Sequence, residues 1–140
     1  MLTSSIRFVR EWREFTRSTG ASIYRPVLPV LVRGQHGFVE RDFLVDSGAD
    51  FSMAPLVLCR QLGLRWQDGA PITLRGISQR KACMVQGRIH EVELLVPDAG
   101  VTLRLPMVFA RGNTPFLLGR EGFFDAFHIT FEKTNRRKII

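Results

Sequence analysis

Turn signals interrupt this chain at short intervals, and that punctuation limits what it can fold into. Gly34-Gln35-His36-Gly37, Gly63, Asp68-Gly69, Pro97-Asp98-Ala99-Gly100 and Arg111-Gly112-Asn113-Thr114-Pro115 each break an apolar run. The runs between them have the length of strands. Residues 27–32 are apolar throughout, as a buried strand requires, and 38–45 form a second run ending in Phe43-Leu44-Val45. Residues 72–77 and 83–96 read as paired strands, 101–109 as a returning strand, 116–118 as a short apolar strand and 128–131 as a last one. Residues 54–62 suit a short helix with Pro55 in its first turn and Gly63 at its end, and 121–127 a second. Residues 4–17 predict an amphipathic helix, since Ile6, Val9, Trp12 and Phe15 recur every three residues, Ser4 or Ser5 caps it and Gly20 ends it. No internal repeat and no β-α-β alternation is present, which excludes a doubly wound sheet. The expected fold is mainly β, a small β-barrel or sandwich with one or two short helices, plus the N-terminal helix.

A chain of 140 residues with 45% hydrophobic content can bury one core without disulfides or metal. The formal net charge of +7 points to anionic partners, whether nucleic acid, membrane or acidic peptide. The basic residues are scattered, however, with one cluster at Arg136, Arg137 and Lys138, and no aromatic-basic strand motif or basic recognition helix accompanies them. A solvated surface is the reading, and neither nucleic acid nor a membrane is expected as a partner. No apolar run approaches the roughly 18 residues of a membrane helix, and no Gly-rich phosphate loop occurs. Cys59 and Cys83 form no C-x-x-C pair and read as free thiols. Charged residues at Arg7, Arg10, Glu11, Arg13 and Glu14 interrupt any signal peptide, so a cytoplasmic location is expected. His36, His90 and His128 lack metal-ligand spacing, and no metal or cofactor is expected. Trp12 and Trp66 read as packing residues.

The chemistry is concentrated in Phe43-Leu44-Val45-Asp46-Ser47-Gly48-Ala49-Asp50. Three apolar residues carry the chain through a core and deliver a carboxylate at the strand's end, where desolvation would tune its proton affinity. Ser47 places a hydroxyl beside Asp46 and reads as its hydrogen-bond donor. It is not a serine nucleophile, because the G-x-S-x-G elbow is missing. Gly48 permits a tight turn, and Ala49 keeps the site narrow.

This segment resembles the hydrophobic-hydrophobic-Asp-Thr/Ser-Gly-Ala signature of retropepsin-like aspartic proteases. A second element of that family, an apolar-apolar-Gly segment followed by a helix that packs behind the catalytic loop, is matched by Leu117-Leu118-Gly119-Arg120. The resemblance covers roughly residues 25–132. It implies a small closed β-barrel of the retropepsin-like acid-protease type, Asp46 as catalytic residue, and an active-site loop of Ser47, Gly48 and Ala49 supported by Leu118 and Gly119. It implies further that Asp50 and Arg120 form a partly buried, bidentate brace, and that a flap within 72–87 has Gly76, Ile77 and Ser78 near its tip. The domain reading that follows is an N-terminal helical extension over 1–20, a protease domain over 21–133 and a basic tail over 134–140.

Peptide hydrolysis of this type needs two carboxylates, one ionised as base on water and one protonated as acid. The other D-x-G run, Asp98-Ala99-Gly100, follows Pro97, lacks an adjacent hydroxyl and reads as an ordinary turn. With no repeat to supply a second lobe, the second Asp46 is expected from a twofold partner. The expected function is a homodimeric aspartic endopeptidase acting on a peptide or protein substrate. In the family the chain ends interleave at the dimer interface, so Ile139 and Ile140 are expected to be interfacial or disordered. The alternatives are a non-catalytic retropepsin-like module that dimerises or binds peptide, and a basic nucleic-acid binder.

Overall fold

The computed structural model describes residues 8–75, 84–133 and 137–139. Alternate residues of its longest strands turn inward and line one core. In β4 (Val27–Gly34), Leu28, Val30 and Val32 are fully buried; in β5 (Gly37–Val45), Phe43 and Val45 follow; in β8 (Met84–Val96), Val92, Leu94 and Val96; in β9 (Val101–Ala110), Leu105, Met107 and Phe109. This period of two is what a strand with one buried face requires.

Two short strands complete the ring, β6 (Ser52–Pro55) and β10 (Leu117–Leu118). The order β4-β5-β10-β6-β9-β8 closes on itself where Leu31 and Val32 of β4 meet Leu95 and Leu94 of β8. Six strands thus form a closed barrel, as expected. The pairs β5–β10 and β6–β9 are parallel, and the others in the ring are antiparallel. Strand β7 (Ala70–Arg75) pairs only with the first half of β8 and forms the outer edge of this sheet among the described residues. On the side away from β9, the long β8 therefore serves two partners, β7 at one end and β4 at the other.

The helix expected over 4–17 is absent from residues 8–17. Two strands stand there instead, β1 (Val9–Glu11) and β2 (Arg13–Thr16). Phe8, Arg10 and Trp12 are half-buried while Val9, Glu11 and Arg13 are exposed, a period of two rather than 3.6. The inward Arg10 is the physical reason for the difference: its guanidinium is held by both carboxylate oxygens of Asp98 in the β8–β9 turn, so a charged residue occupies an inward position. Strand β2 pairs with β3 (Ser22–Arg25) around a turn at Gly20. Strand β1 pairs with β12 (Arg137–Ile139), which also pairs with β11 (Thr130–Glu132). Near-terminal segments thus meet in one three-stranded sheet, with Ile139 opposite Val9 and Thr130. Ile140 lies outside the described residues.

Helix α1 (Leu56–Gln61) is shorter than the expected 54–62, because Ala54 and Pro55 belong to β6 and Pro55 stands at the N-cap. Its Leu58 and Cys59, with Leu62 just beyond, are fully buried. The helical stretch expected over 121–127 is a kinked Arg120–Phe124 turn, broken at Glu121 and Gly122. Gly122 has φ of 85°, the left-handed region that favours glycine. That bend seats Phe123 in the core, with its ring 5.0 Å from Phe127 and 5.9 Å from Phe124. No helix among the described residues is long and apolar enough to cross a membrane.

Burial pushes the Cys59 thiol above its ordinary value of 9.0, with Arg60 opposing the shift. The neutral thiol is therefore the form the core accommodates. As pH rises past 9.0 the unfolded chain ionises first, so stability is lost from there up to the folded thiol's higher value. In a Cys83→Ser background at pH 8, a disulfide-exchange reagent should modify Cys59 only as fast as the protein opens. Modification at the rate of a free thiol in native buffer would contradict this burial.

Candidate active site

Strand β5 runs through the core and releases Asp46, half-buried, at the barrel's rim. Its last residues are held from two sides. Leu44 donates its N–H to Phe116 O at 2.9 Å, Val45 to Pro26 O at 2.8 Å and Asp46 to Leu118 O at 3.0 Å. The chain then turns sharply, with Ala49 N–H reaching Asp46 O at 3.3 Å. Inside that turn Gly48 N–H donates to Asp46 Oδ1 at 2.9 Å, which fixes the carboxylate's orientation. Ser47 was the expected donor to this carboxylate. It is exposed, and among the described residues its hydroxyl makes no such bond. The amide two residues on reaches the carboxylate through local turn geometry, so the hydroxyl is not needed for orientation.

Behind the loop, the Leu118-Gly119-Arg120 segment is locked to it by backbone. Arg120 N–H donates to Ala49 O and Glu121 N–H to Asp50 O, both at 2.9 Å. Gly119 N–H donates to Ser52 Oγ at 3.0 Å in a fully buried setting. A Cβ on Gly119 would sit 2.4 Å from Phe51 O and 2.8 Å from Ala49 O, so only glycine fits. Leu118 is fully buried beneath.

The Asp50–Arg120 ion pair is present, through Arg120 Nη2 and Asp50 Oδ1. It is not the partly buried bidentate brace that was expected: the two side chains are 58% and 73% exposed, with Arg120 first, and a single nitrogen makes the contact. An exposed pair of this kind contributes at most about 1 kcal/mol. The bracing is done by amides, and by Ser52, which sequence reasoning missed. Its only signal was a hydroxyl residue inside the otherwise apolar Phe51-Ser52-Met53-Ala54.

A cleft of about 730 Å³ lies beside the loop, lined by residues 48–51, Ile72, Thr73 and Leu74 of β7, Val85 of β8, and the 111–115 loop. Asp46 adjoins it through Gly48. The flanks of the expected flap form an antiparallel hairpin as far as Arg75 opposite Met84, while Gly76, Ile77 and Ser78 lie outside the described residues. Asp98 is engaged elsewhere, clamped in its turn by Arg10, whose own pKa is raised chiefly by that hydrogen bond.

The two kinds of brace should separate on mutation. Ser52→Ala leaves a buried amide without an acceptor and should cost about 1–3 kcal/mol in urea unfolding. Asp50→Asn removes only the exposed pair and should cost under about 1 kcal/mol. The reverse order would overturn this assignment.

No model of a known protein family and no curated protein matches the chain. Among solved structures, the chain is similar to a retropepsin-like aspartic protease from Rickettsia conorii, with a TM-score of 0.65 at 13% identity, covering 98% of this chain and 100% of that one. It is also similar to EIAV protease complexed with the inhibitor HBY-793, with a TM-score of 0.49 at 24% identity, covering 69% of this chain and 82% of that one. The barrel, the Asp46 loop and the Leu118-Gly119 segment behind it thus belong to a retropepsin-like fold.

Proposed function

We propose that this protein is an aspartic endopeptidase that works as a homodimer. The observation that carries the reading is the half-site itself. Asp46 is delivered by a core strand, oriented by the Gly48 amide and set beside a peptide-sized cleft. One carboxylate cannot serve as both base and acid on the same water at the same moment. Asp98, the carboxylate of the other D-x-G run, is neutralised in a turn by Arg10, so a twofold copy is the source of the second Asp46.

In the assembled site the two Asp46 carboxylates face each other and share one proton, because like charges that close do not both ionise. This sharing is the general pattern of aspartic proteases. The ionised carboxylate takes a proton from water, and the protonated one donates to the scissile carbonyl oxygen. A tetrahedral intermediate forms and then collapses with proton transfer to the leaving amine. Asp46, Ser47, Gly48 and Ala49 make up the loop, Leu118, Gly119 and Ser52 hold it, and the paired strands β7 and β8 flank the substrate on the side of the expected flap residues Gly76, Ile77 and Ser78, which lie outside the described residues. The retropepsin-like domain spans 21–133 on this reading, and the buried Cys59 thiol suits a reducing, cytoplasmic setting.

The test is Asp46→Asn in purified protein, assayed on a diverse peptide library across pH. Cleavage should fall at least about a thousandfold, as expected when a group acting in general acid–base chemistry is lost, with the dimer fraction in sedimentation unchanged. Cleavage that persists in the variant removes the assignment. Wild-type protein that binds peptides without cleaving any favours the non-catalytic module.

A further inference from the structure

The 111–115 loop carries a cation into the cleft that the mechanism above does not use. Arg111 is exposed and lines the cleft. Its guanidinium carbon stands 5.0 Å from the centre of the Trp66 ring. That ring is itself fixed, since Trp66 Nε1–H donates to Phe109 O at 2.8 Å. The loop is fastened too: Thr114 Oγ1 donates to Arg111 O at 3.1 Å. Arg111 is therefore held at the cleft by its own backbone and by a ring contact rather than by a counter-charge.

The charges around it do not balance. Among the described residues Arg111 has no carboxylate partner. The one carboxylate lining the cleft, Asp50, is engaged by Arg120. A second guanidinium, that of Arg88, stands 5.5 Å from the same Trp66 ring and gives its Nη1–H to Gly69 O. Two cations thus contact the Trp66 ring, which with Arg88 lines a smaller pocket that adjoins the cleft through Ile72 and Thr73, and an anion there meets favourable charge.

The rest of the cleft favours an extended peptide as the carrier of that anion. Among the described residues strand β7 is an outer edge, and the N–H and C=O groups on its outer side can pair with an added strand. Ile72, Leu74, Val85 and Met53 offer apolar contacts along it. A nucleic acid calls for a row of basic and stacking residues, whereas among the described residues this cleft lining holds one basic side chain, Arg111.

We propose that Arg111 is a specificity-determining residue that selects peptides carrying an Asp or Glu side chain at the subsite beside Trp66, with apolar side chains seated along β7. This rests on the peptide-cleaving reading for its consequence but not for its binding step. An ion pair at an open cleft gives a preference of roughly fivefold for Glu over Gln. The preference falls as salt rises.

The experiment uses quenched fluorescent peptides in which Glu, Gln or Lys is placed at each position around an apolar pair. Cleavage is read as kcat/KM in the wild type, and binding as anisotropy in Asp46→Asn, each repeated with Arg111→Gln and Arg111→Lys. The expected result is a Glu-over-Gln preference of roughly fivefold at one position, a ratio near one in Arg111→Gln, and recovery in Arg111→Lys. Cleavage with no preference, or a preference that survives Arg111→Gln, overturns the proposal. A preference in binding that depends on Arg111, without cleavage, sinks the protease reading and leaves this one standing. Arg111-dependent binding of a labelled single-stranded oligonucleotide, with none of the peptides, overturns it in favour of a nucleic acid.

Discussion

The Asp46 loop is held by a backbone lock, and the candidate site depends on it. Backbone hydrogen bonds from the amides of Asp46 to Leu118 O, Arg120 to Ala49 O and Glu121 to Asp50 O tie two segments far apart in sequence. Gly119 sits where any Cβ would meet the carbonyls of Phe51 and Ala49. Ser52 then supplies the acceptor that Gly119's own amide requires. Buried amides tolerate little geometric error, because an unpaired one costs about 1–3 kcal/mol. The loop is thus held in place by its own backbone, and Asp46 inherits that placement. The exposed Asp50–Arg120 pair decorates this lock and is too solvated to create it.

The same lock governs how the barrel closes. Strand β10 is only Leu117–Leu118, yet it bridges β5 and β6 and completes the ring. Its parallel partner, Leu44 and Val45, lies far earlier in the chain. The site exists only once this non-local pairing has formed. Proteins dominated by such pairings fold in milliseconds to seconds. Strand β1 pairing with β12 adds a second non-local closure at the opposite ends of the chain.

What was legible in the sequence follows from which signals are local. The apolar runs over 27–32 and 101–109, the Asp68-Gly69 and Pro97–Gly100 turns and the Phe43-Leu44-Val45 delivery of Asp46 are all written in neighbouring residues, and the structure has them in those places. The N-terminal strands were not legible. Arg10 counts as a surface residue until Asp98, from a distant turn, is brought against it. Strand β6 was hidden because Ser52 and Pro55 both argue against a strand locally, and its partners β9 and β10 are remote. Ser52 itself looked like an interruption of an apolar run. Its role appears only when Gly119 arrives to donate to it. Arg111 was one charge among many until Trp66 and the cleft gave it a position.

On the dimer reading, a loop held in this way changes what a partner has to contribute. The loop is already ordered within one chain by its own amides, so docking a second copy adds a carboxylate rather than a conformation. Association of preorganised surfaces avoids the ordering cost that flexible segments incur. The loop that carries the carboxylate is also the least enclosed part of the lock: Asp46 is half-buried and Ser47 and Gly48 are exposed, while Leu118 and Ser52 behind them are fully buried. Burial thus increases from the loop backwards into the core. On the dimer reading, the open side of the loop is where the twofold partner belongs. The strands that position the carboxylate are then insensitive to whether the partner is present, and chemistry, not folding, is what assembly switches on.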